Sequence, residues 1–221
     1  WLYLLSGAQA LMTAVLVFLE PDMSTAVVFM VIWAALAFVS EVHWGFLVAT
    51  AGAALASVIP LWQVMKPYQR DRVLTFLNPQ RDPAALYNID QARISIGSGG
   101  LWGQGYGVGT QSQLHFLRVR HTDFIFSVVG EELGFIGTVL LLGLFVLLGW
   151  RIFRAALLAP DRFGRLLVVG VGTMIFFQVI VNVGMNLGLL PVTGLPLPFI
   201  SYGGSSLLTF LTALGLVESV A

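Results

Sequence analysis

Six runs of sixteen or more residues carry almost no charge, and this pattern most restricts what the chain can become. They cover residues 2–19, 25–40, 44–65, 124–150, 166–190 and 206–221, and their only ionisable acids are Glu131, Glu132 and Glu218. A helix rises about 1.5 Å per residue, so runs near twenty residues cross a hydrocarbon layer roughly 30 Å thick. The 221 residues are 57% hydrophobic and 10% charged, whereas soluble domains hold about 25% charged residues. The core of one small domain cannot hide so much apolar surface. The expected fold class is an all-α polytopic membrane protein, a single transmembrane domain over residues 1–221. Apolar sequence at both ends suggests an internal piece of a longer chain. Zero formal net charge argues against a nucleic-acid partner. The absence of cysteine removes disulfides and thiolate metal sites.

The breaks between runs carry the chemistry. At Glu20-Pro21-Asp22-Met23-Ser24, Pro21 disfavours helix at Glu20 and Ser24 is placed to cap the next helix. Glu41 to His43 is a short turn, and Trp44 opens the third run as an interfacial anchor. Residues 66–122 form the one long hydrophilic segment, expected to be an extracytoplasmic loop. Within it, Ile89 to Ile96 suits a short amphipathic helix, and residues 97–109 hold seven glycines in thirteen positions. Glycine at that density implies unusual backbone dihedrals or close approach of another group. No register gives a dinucleotide or P-loop pattern, so nucleotide binding is unsupported. Residues 151–165 read as a short loop with Arg151, Arg154, Arg162 and Arg165. Arginine-rich short loops stay cytoplasmic, which puts the breaks at 20–24, 66–122 and 191–205 together on the outer face. The other seven Lys and Arg residues lie in 66–122, a segment long enough to weaken that rule.

Arg118 to Phe126 is where the hydrophilic segment meets the fourth run. Ionisable groups at or inside a membrane helix are functional candidates by default. Asp123, Ser127, Gly130 and Gly134 recur on one helical stripe, and Gly130 to Gly134 is a GxxxG pattern suited to close approach by another helix. Asp123 reads either as a general base or as a helix N-cap. Glu131 and Glu132 read as a proton or cation site, a strut to a loop arginine, or buried structural acids. Gln178, Asn182 and Asn186 form a polar stripe on the fifth run, suited to a substrate groove or to interhelical hydrogen bonds. His115 and His121 lack partners at zinc spacing. The proline-stiffened stretch Pro196 to Ser206 leads into a helix N-terminus, which favours anions.

Four strings together resemble one family: EPDMST (Glu20 to Thr25), YNIDQARISIGSGGLWGQG (Tyr87 to Gly105), HTDFIFSVVGEELGFIG (His121 to Gly137) and GMNLGLLPVTGLPLPFISYGGSS (Gly184 to Ser206). This is similar to the SEDS family (shape, elongation, division and sporulation). GTQSQLHFL (Gly109 to Leu117) and PVTGLPLPF (Pro191 to Phe199) resemble its rod-shape branch. The resemblance implies about ten spans in the whole protein, of which these are the last six. It also implies a multi-pass protein of the bacterial cytoplasmic membrane with its site on the outer face. The implied activity is a peptidoglycan glycosyltransferase that polymerises lipid II during elongation, beside a class B penicillin-binding protein. The family's essential aspartate maps onto Asp123. In the inverting transfer this implies, Asp123 takes the proton from the acceptor sugar's 4-hydroxyl and lipid pyrophosphate leaves.

Cationic donors should meet the leaving group. The candidates are Lys66, Arg70, Arg72, Arg93, Arg118 and Arg120, with Arg93 favoured by its place in a matched string. Gln91, Ser95, His121, Thr122, Ser201, Tyr202 and Gly203 lie in the matched strings and are further substrate-binding candidates. No protein metal site is expected, and a divalent cation, magnesium or manganese, is compatible with the resemblance. Arg118-Val119 stands where the family often has Pro-Glu, and the added charge should lower the Asp123 pKa. A lipid II flippase and a non-catalytic scaffold for the penicillin-binding protein are the alternative readings.

Overall fold

The computed structural model describes residues 2–20, 22–40, 42–113 and 122–220. Among them every regular element is helical. In chain order they are α1 (Leu2–Leu19), α2 (Met23–Val39), α3 (Trp44–Val64), α4 (Pro67–Leu77), a 3-10 turn (Pro79–Arg81), α5 (Pro83–Ser98), α6 (Thr110–Gln113), α7 (Ile125–Leu158), α8 (Arg162–Asn186) and α9 (Gly204–Val220). Helices α3, α7 and α8 are long and apolar enough to cross a membrane; α2, α9 and the Tyr3–Leu19 part of α1 are apolar but shorter.

Helices α7, α8 and α9 share the main core, where Phe145, Ile152, Val168, Ile175, Phe210 and Val217 interlock. Helix α2 packs on α8 through Val28 against Val181, with Leu195 joining from the loop after α8. Helix α1 packs on α2, and the Tyr3 and Trp33 rings lie 5.3 Å apart. Helix α3 buries none of its residues and meets α1 through Tyr3 Oη to Thr50 Oγ1 at 3.3 Å.

Several expectations are corrected. Asp22, not Ser24, caps α2: its carboxylate accepts from the Thr25 N–H at 3.0 Å and the Thr25 hydroxyl at 2.6 Å. Ser24 is buried and donates to the Thr193 carbonyl at 2.7 Å. The arginine-rich loop shrinks to residues 159–161, because α7 continues to Leu158 and carries Arg151 and Arg154. Asp161 caps α8 through the Gly164 N–H at 3.1 Å. The hydrophilic segment is largely helical, with α4 unforeseen and α5 twice the length of the expected amphipathic piece. Pro67 and Pro83 each open a helix, where proline's missing N–H costs nothing.

Helix α7 is interrupted at Gly134, whose φ of 66° and ψ of −165° are not helical. A continuous helix would bond the Phe135 and Ile136 N–H groups to the Glu131 and Glu132 carbonyls. Instead those amides donate to the Gly100 and Leu101 carbonyls at 2.8 and 3.2 Å. The freed Glu131 and Glu132 carbonyls accept from the Gln104 and Gly105 amides at 2.9 and 3.1 Å. The glycine segment thus replaces two helical bonds with four of its own, and no group named is left unpaired. A Cβ on Gly103 would collide with the Glu132 carbonyl, and one on Gly134 with the Gly103 amide. The expected helix–helix contact at the GxxxG pattern holds at Gly130, which faces Ile96 of α5, whereas Gly134 receives the turn backbone of Leu101 to Gly103.

Gly134→Ala should therefore lower stability by on the order of 2 kcal/mol or more, since it combines a positive φ with a backbone clash. Gly143→Ala, whose Cβ would meet nothing within 4 Å, is the matched control and should leave stability unchanged or slightly raised. Thermal unfolding of both variants in detergent checks this; an unchanged Tm for Gly134→Ala would show that the break is dispensable.

Candidate active site

Asp123 lies in the turn just ahead of α7 and is partly buried. Its main chain is held tightly. Its carbonyl accepts from Asn182 Nδ2 at 3.1 Å and Asn186 Nδ2 at 3.0 Å. Each of these amides spends its second hydrogen within the protein: Asn182 on the Leu195 carbonyl at 2.8 Å, Asn186 on the Asn182 carbonyl at 2.8 Å. Asn186 Oδ1 in turn accepts from the Ser127 amide at 3.1 Å and the Ser127 hydroxyl at 2.6 Å. Both asparagines are fully buried, and their spacing of four residues stacks them on one face of α8. The polar stripe of the fifth run is therefore interhelical bonding at these two positions.

The neighbouring carbonyls are held as well. The Thr122 carbonyl accepts from the Ser201 hydroxyl at 2.7 Å, and the Ser201 hydroxyl oxygen in turn accepts from the Leu197 amide at 2.8 Å. The Phe124 carbonyl accepts from the Ser127 amide at 3.1 Å. Phe124 is the N-cap residue of α7 and makes no side-chain cap bond, so the capping role weighed for Asp123 is not the one it fills. Ser201 sits in a turn containing Phe199 at φ 65°. That conformation is unusual for a bulky residue, and the Phe199 ring packs 5.4 Å from Phe210.

The Asp123 side chain faces the loop after α8, near Gly194, whose Cβ position would lie 3.8 Å from Oδ2. Burial raises the Asp123 pKa; a hydrogen bond with the Thr122 side chain and the charge of Arg72 oppose it without cancelling it. The expected lowering is thus reversed, because loss of water outweighs nearby cations. Arg72 is held beside this loop by a bond from Nη1 to the Thr193 carbonyl at 3.3 Å. Ser24 bonds the same carbonyl, so the breaks at 20–24, 66–122 and 191–205 converge around Asp123.

The remaining candidates divide. Arg93 donates to the Leu187 and Gly188 carbonyls at 3.1 and 3.3 Å, neutralising the C-terminal end of α8. Arg70 donates to the Gln63 carbonyl at 2.6 Å. Lys66 is exposed at the start of α4. Gln91 is half-buried on α5, and Ser95 is fully buried. Tyr202 is exposed and Gly203 half-buried just before α9. Arg118, Arg120 and His121 lie outside the described residues. Sequence reasoning did not single out Ser24 and Thr193 as a bonded pair, because nothing local links positions 169 residues apart. Glu131 is fully buried, and its Oε1 accepts from the Gln111 amide at 2.7 Å. It is a strut to the loop backbone. Among the described residues no three acids or histidines gather as a metal site.

Residues 2–221 match the cell cycle protein family of FtsW, RodA and SpoVE. The chain belongs to this family. Among FtsW/RodA/SpoVE members, the peptidoglycan glycosyltransferase MrdB of Escherichia coli strain K12 is 45% identical over 212 residues, covering 95% of this chain and 57% of MrdB. The chain therefore spans a little over half the length of that relative. A solved structure described as the structural coordination of polymerization and crosslinking by a peptidoglycan synthase complex includes a chain that aligns at TM-score 0.78. It shares 40% identity, with 98% of this chain and 60% of the other covered. The crystal structure of the Thermus thermophilus rod shape determining protein RodA aligns at TM-score 0.63 with 35% identity, covering 97% of this chain and 54% of that one.

Two outcomes follow for stability. Asn186→Ala strips bonds from the Asp123 carbonyl and the Ser127 amide at once, and should cost on the order of 2–4 kcal/mol. Asp123→Asn should cost nothing. Because folding raises the Asp123 pKa, the folded chain binds more protons than the unfolded one between the two pKa values. Stability therefore falls as pH rises through that window and stays reduced above it. Removing the charge relieves this, so at neutral pH the Asn variant should melt at or above the wild-type temperature. The two curves should converge below about pH 4, near the ordinary aspartate value. A variant that melts well below wild type at neutral pH would contradict this account.

Proposed function

We propose that the intact protein is a peptidoglycan glycosyltransferase that polymerises lipid II, with Asp123 as its general base. The observation that carries the reading is a carboxyl whose backbone is fixed by α8 and the Leu197–Ser201 turn while its side chain stays partly open and its basicity is raised. Fixed geometry with a pKa moved toward neutrality is what proton abstraction from a sugar hydroxyl requires.

The acceptor's 4-hydroxyl gives its proton to an Asp123 oxygen as its oxygen attacks the donor's anomeric carbon. The carbon–oxygen bond to lipid pyrophosphate breaks on the opposite face, and the configuration inverts. Negative charge grows on the pyrophosphate, and Arg72 is the cation best supported to meet it, with Lys66 close by in sequence at the start of α4. Arg93 and Arg70 are tied to backbone carbonyls and become second choices. In the intact protein the six apolar helices are spans, the Asp123 end faces outward, and residues 66–122 lie outside the membrane. A class B penicillin-binding protein is the expected partner, in keeping with the polymerization and crosslinking complex described for the similar structure. A flippase would need a polar path through the bilayer. Of the residues such a path would use, Glu131, Asn182 and Asn186 are bound to the protein's own backbone, and Gln178 is buried.

The test mixes the intact protein and its penicillin-binding partner with labelled lipid II in detergent, where there is no bilayer to flip across. Wild type should make long glycan chains. Asp123→Asn should lose roughly 10²–10⁴-fold or more, and Arg72→Gln should slow turnover more than it weakens binding. The acid limb of the rate profile should lie above the range of a free aspartate. Chains from folded Asp123→Asn at the wild-type rate would move the base elsewhere. No chains from a folded, partner-bound wild type would shift the reading to flipping or scaffolding.

A further inference from the structure

A second pocket lies at the other end of the bundle. Helix α8 runs from Arg162 to Asn186, so this pocket and Asp123 are separated by about 35 Å of helix. It opens between the last turns of α7 and of α9, with a volume of about 400 Å³. Leu148, Ile152 and Leu214 are among its apolar walls, and Arg151, Arg154 and Glu218 are its three charged groups. All three are exposed, and their side chains form no hydrogen bond or ion pair among the described residues. The other two arginines at this end are engaged: Arg162 donates to the Ser40 carbonyl, and Arg165 has a partner. Gly215 adds room, since a Cβ there would meet nothing within 4 Å.

Two unpaired guanidinium groups above an apolar cleft, at the end of membrane-length helices, match one chemical class. We propose that this pocket binds an anionic glycerophospholipid of the leaflet opposite Asp123, with phosphatidylglycerol the best fit. Arg151 and Arg154, three residues apart on one face of α7, take the phosphodiester. Glu218 accepts from headgroup hydroxyls, and an acyl chain lies along Leu148, Ile152 and Leu214. The three charges sum to +1, which one phosphodiester balances. Basic pockets between membrane helices are known to favour anionic headgroups. The proposal does not depend on the glycosyltransferase reading, because it uses no residue of the Asp123 site.

The experiment is native mass spectrometry of the intact protein, delipidated and then titrated separately with phosphatidylglycerol, phosphatidylethanolamine and phosphatidylcholine. Wild type should retain one phosphatidylglycerol more strongly than either of the others. Each arginine is worth roughly fivefold near a membrane surface, so Arg151→Gln with Arg154→Gln should weaken retention about twenty-five-fold. Gly215→Leu should weaken it too, by filling the cleft without touching a charge. Inorganic phosphate should leave the melting temperature unchanged, which separates a lipid from a free anion. Equal retention of the three lipids, undiminished phosphatidylglycerol in the double variant, or protection by phosphate alone would each overturn the proposal. A wild-type melting temperature serves as the folding check on the variants.

Discussion

Two buried amide side chains on one helix hold one carbonyl in the turn that leads into another, and the position of Asp123 rests on that contact. Asn182 and Asn186 both donate to the Asp123 carbonyl, and each spends its remaining hydrogen on another carbonyl. In a hydrocarbon surrounding, an unpaired amide is expensive, so a satisfied network is rigid by default. The bonds go to the backbone, so neither asparagine occupies the carboxyl. Fixing the main chain while sparing the side chain is the arrangement a reactive group needs, since its geometry survives any change in its own protonation.

The same demand for backbone pairing explains the break in α7. Opening a helix inside a membrane is tolerated only where other protein groups take up the released amides and carbonyls. The glycine segment does this with a reciprocal set of four bonds around Gly134. Glycine is required on both sides of the contact, because Gly103 and Gly134 approach backbone to backbone. Glu131, one turn before the break, accepts from the Gln111 amide. The loop that leads toward Asp123 is therefore anchored to the helix that leads away from it. The two acids that looked like candidates for proton traffic flank a structural joint, and their adjacent carbonyls are the ones the glycine segment occupies.

How much of this was legible in the sequence follows from the range of each force. Apolar runs are local, so the positions of α1, α2, α3, α7, α8 and α9 were readable within a few residues. The end of α7 was misjudged because Arg151 and Arg154 read as loop, whereas long basic side chains sit comfortably on a helix end at an interface. The cap at Asp22 was missed because two polar residues compete there, and the choice is set by the Ser24 bond to Thr193, 169 residues away. The glycine density pointed correctly to close approach but not to its partner. Asp123 itself was marked by its place at the edge of an apolar run and, more sharply, by the family's string; the asparagines that hold it were visible only as a stripe with two meanings.

The electrostatics of Asp123 show why a single nearby cation should not be read as fixing a carboxylate. Arg72 is attracted to it, yet the charge is tethered to the Thr193 carbonyl and exposed to water, which screens it. Burial acts on the carboxyl directly and is the largest influence, so it wins, and the pKa rises. A base in this balance is more basic than a solvated carboxylate. In the proposed transfer, the cation that fails to suppress that basicity is left to answer negative charge on the departing pyrophosphate. The two proposed roles are thus divided by burial: the group that would gain a proton is partly withdrawn from water, and the group that would stay charged is left in it.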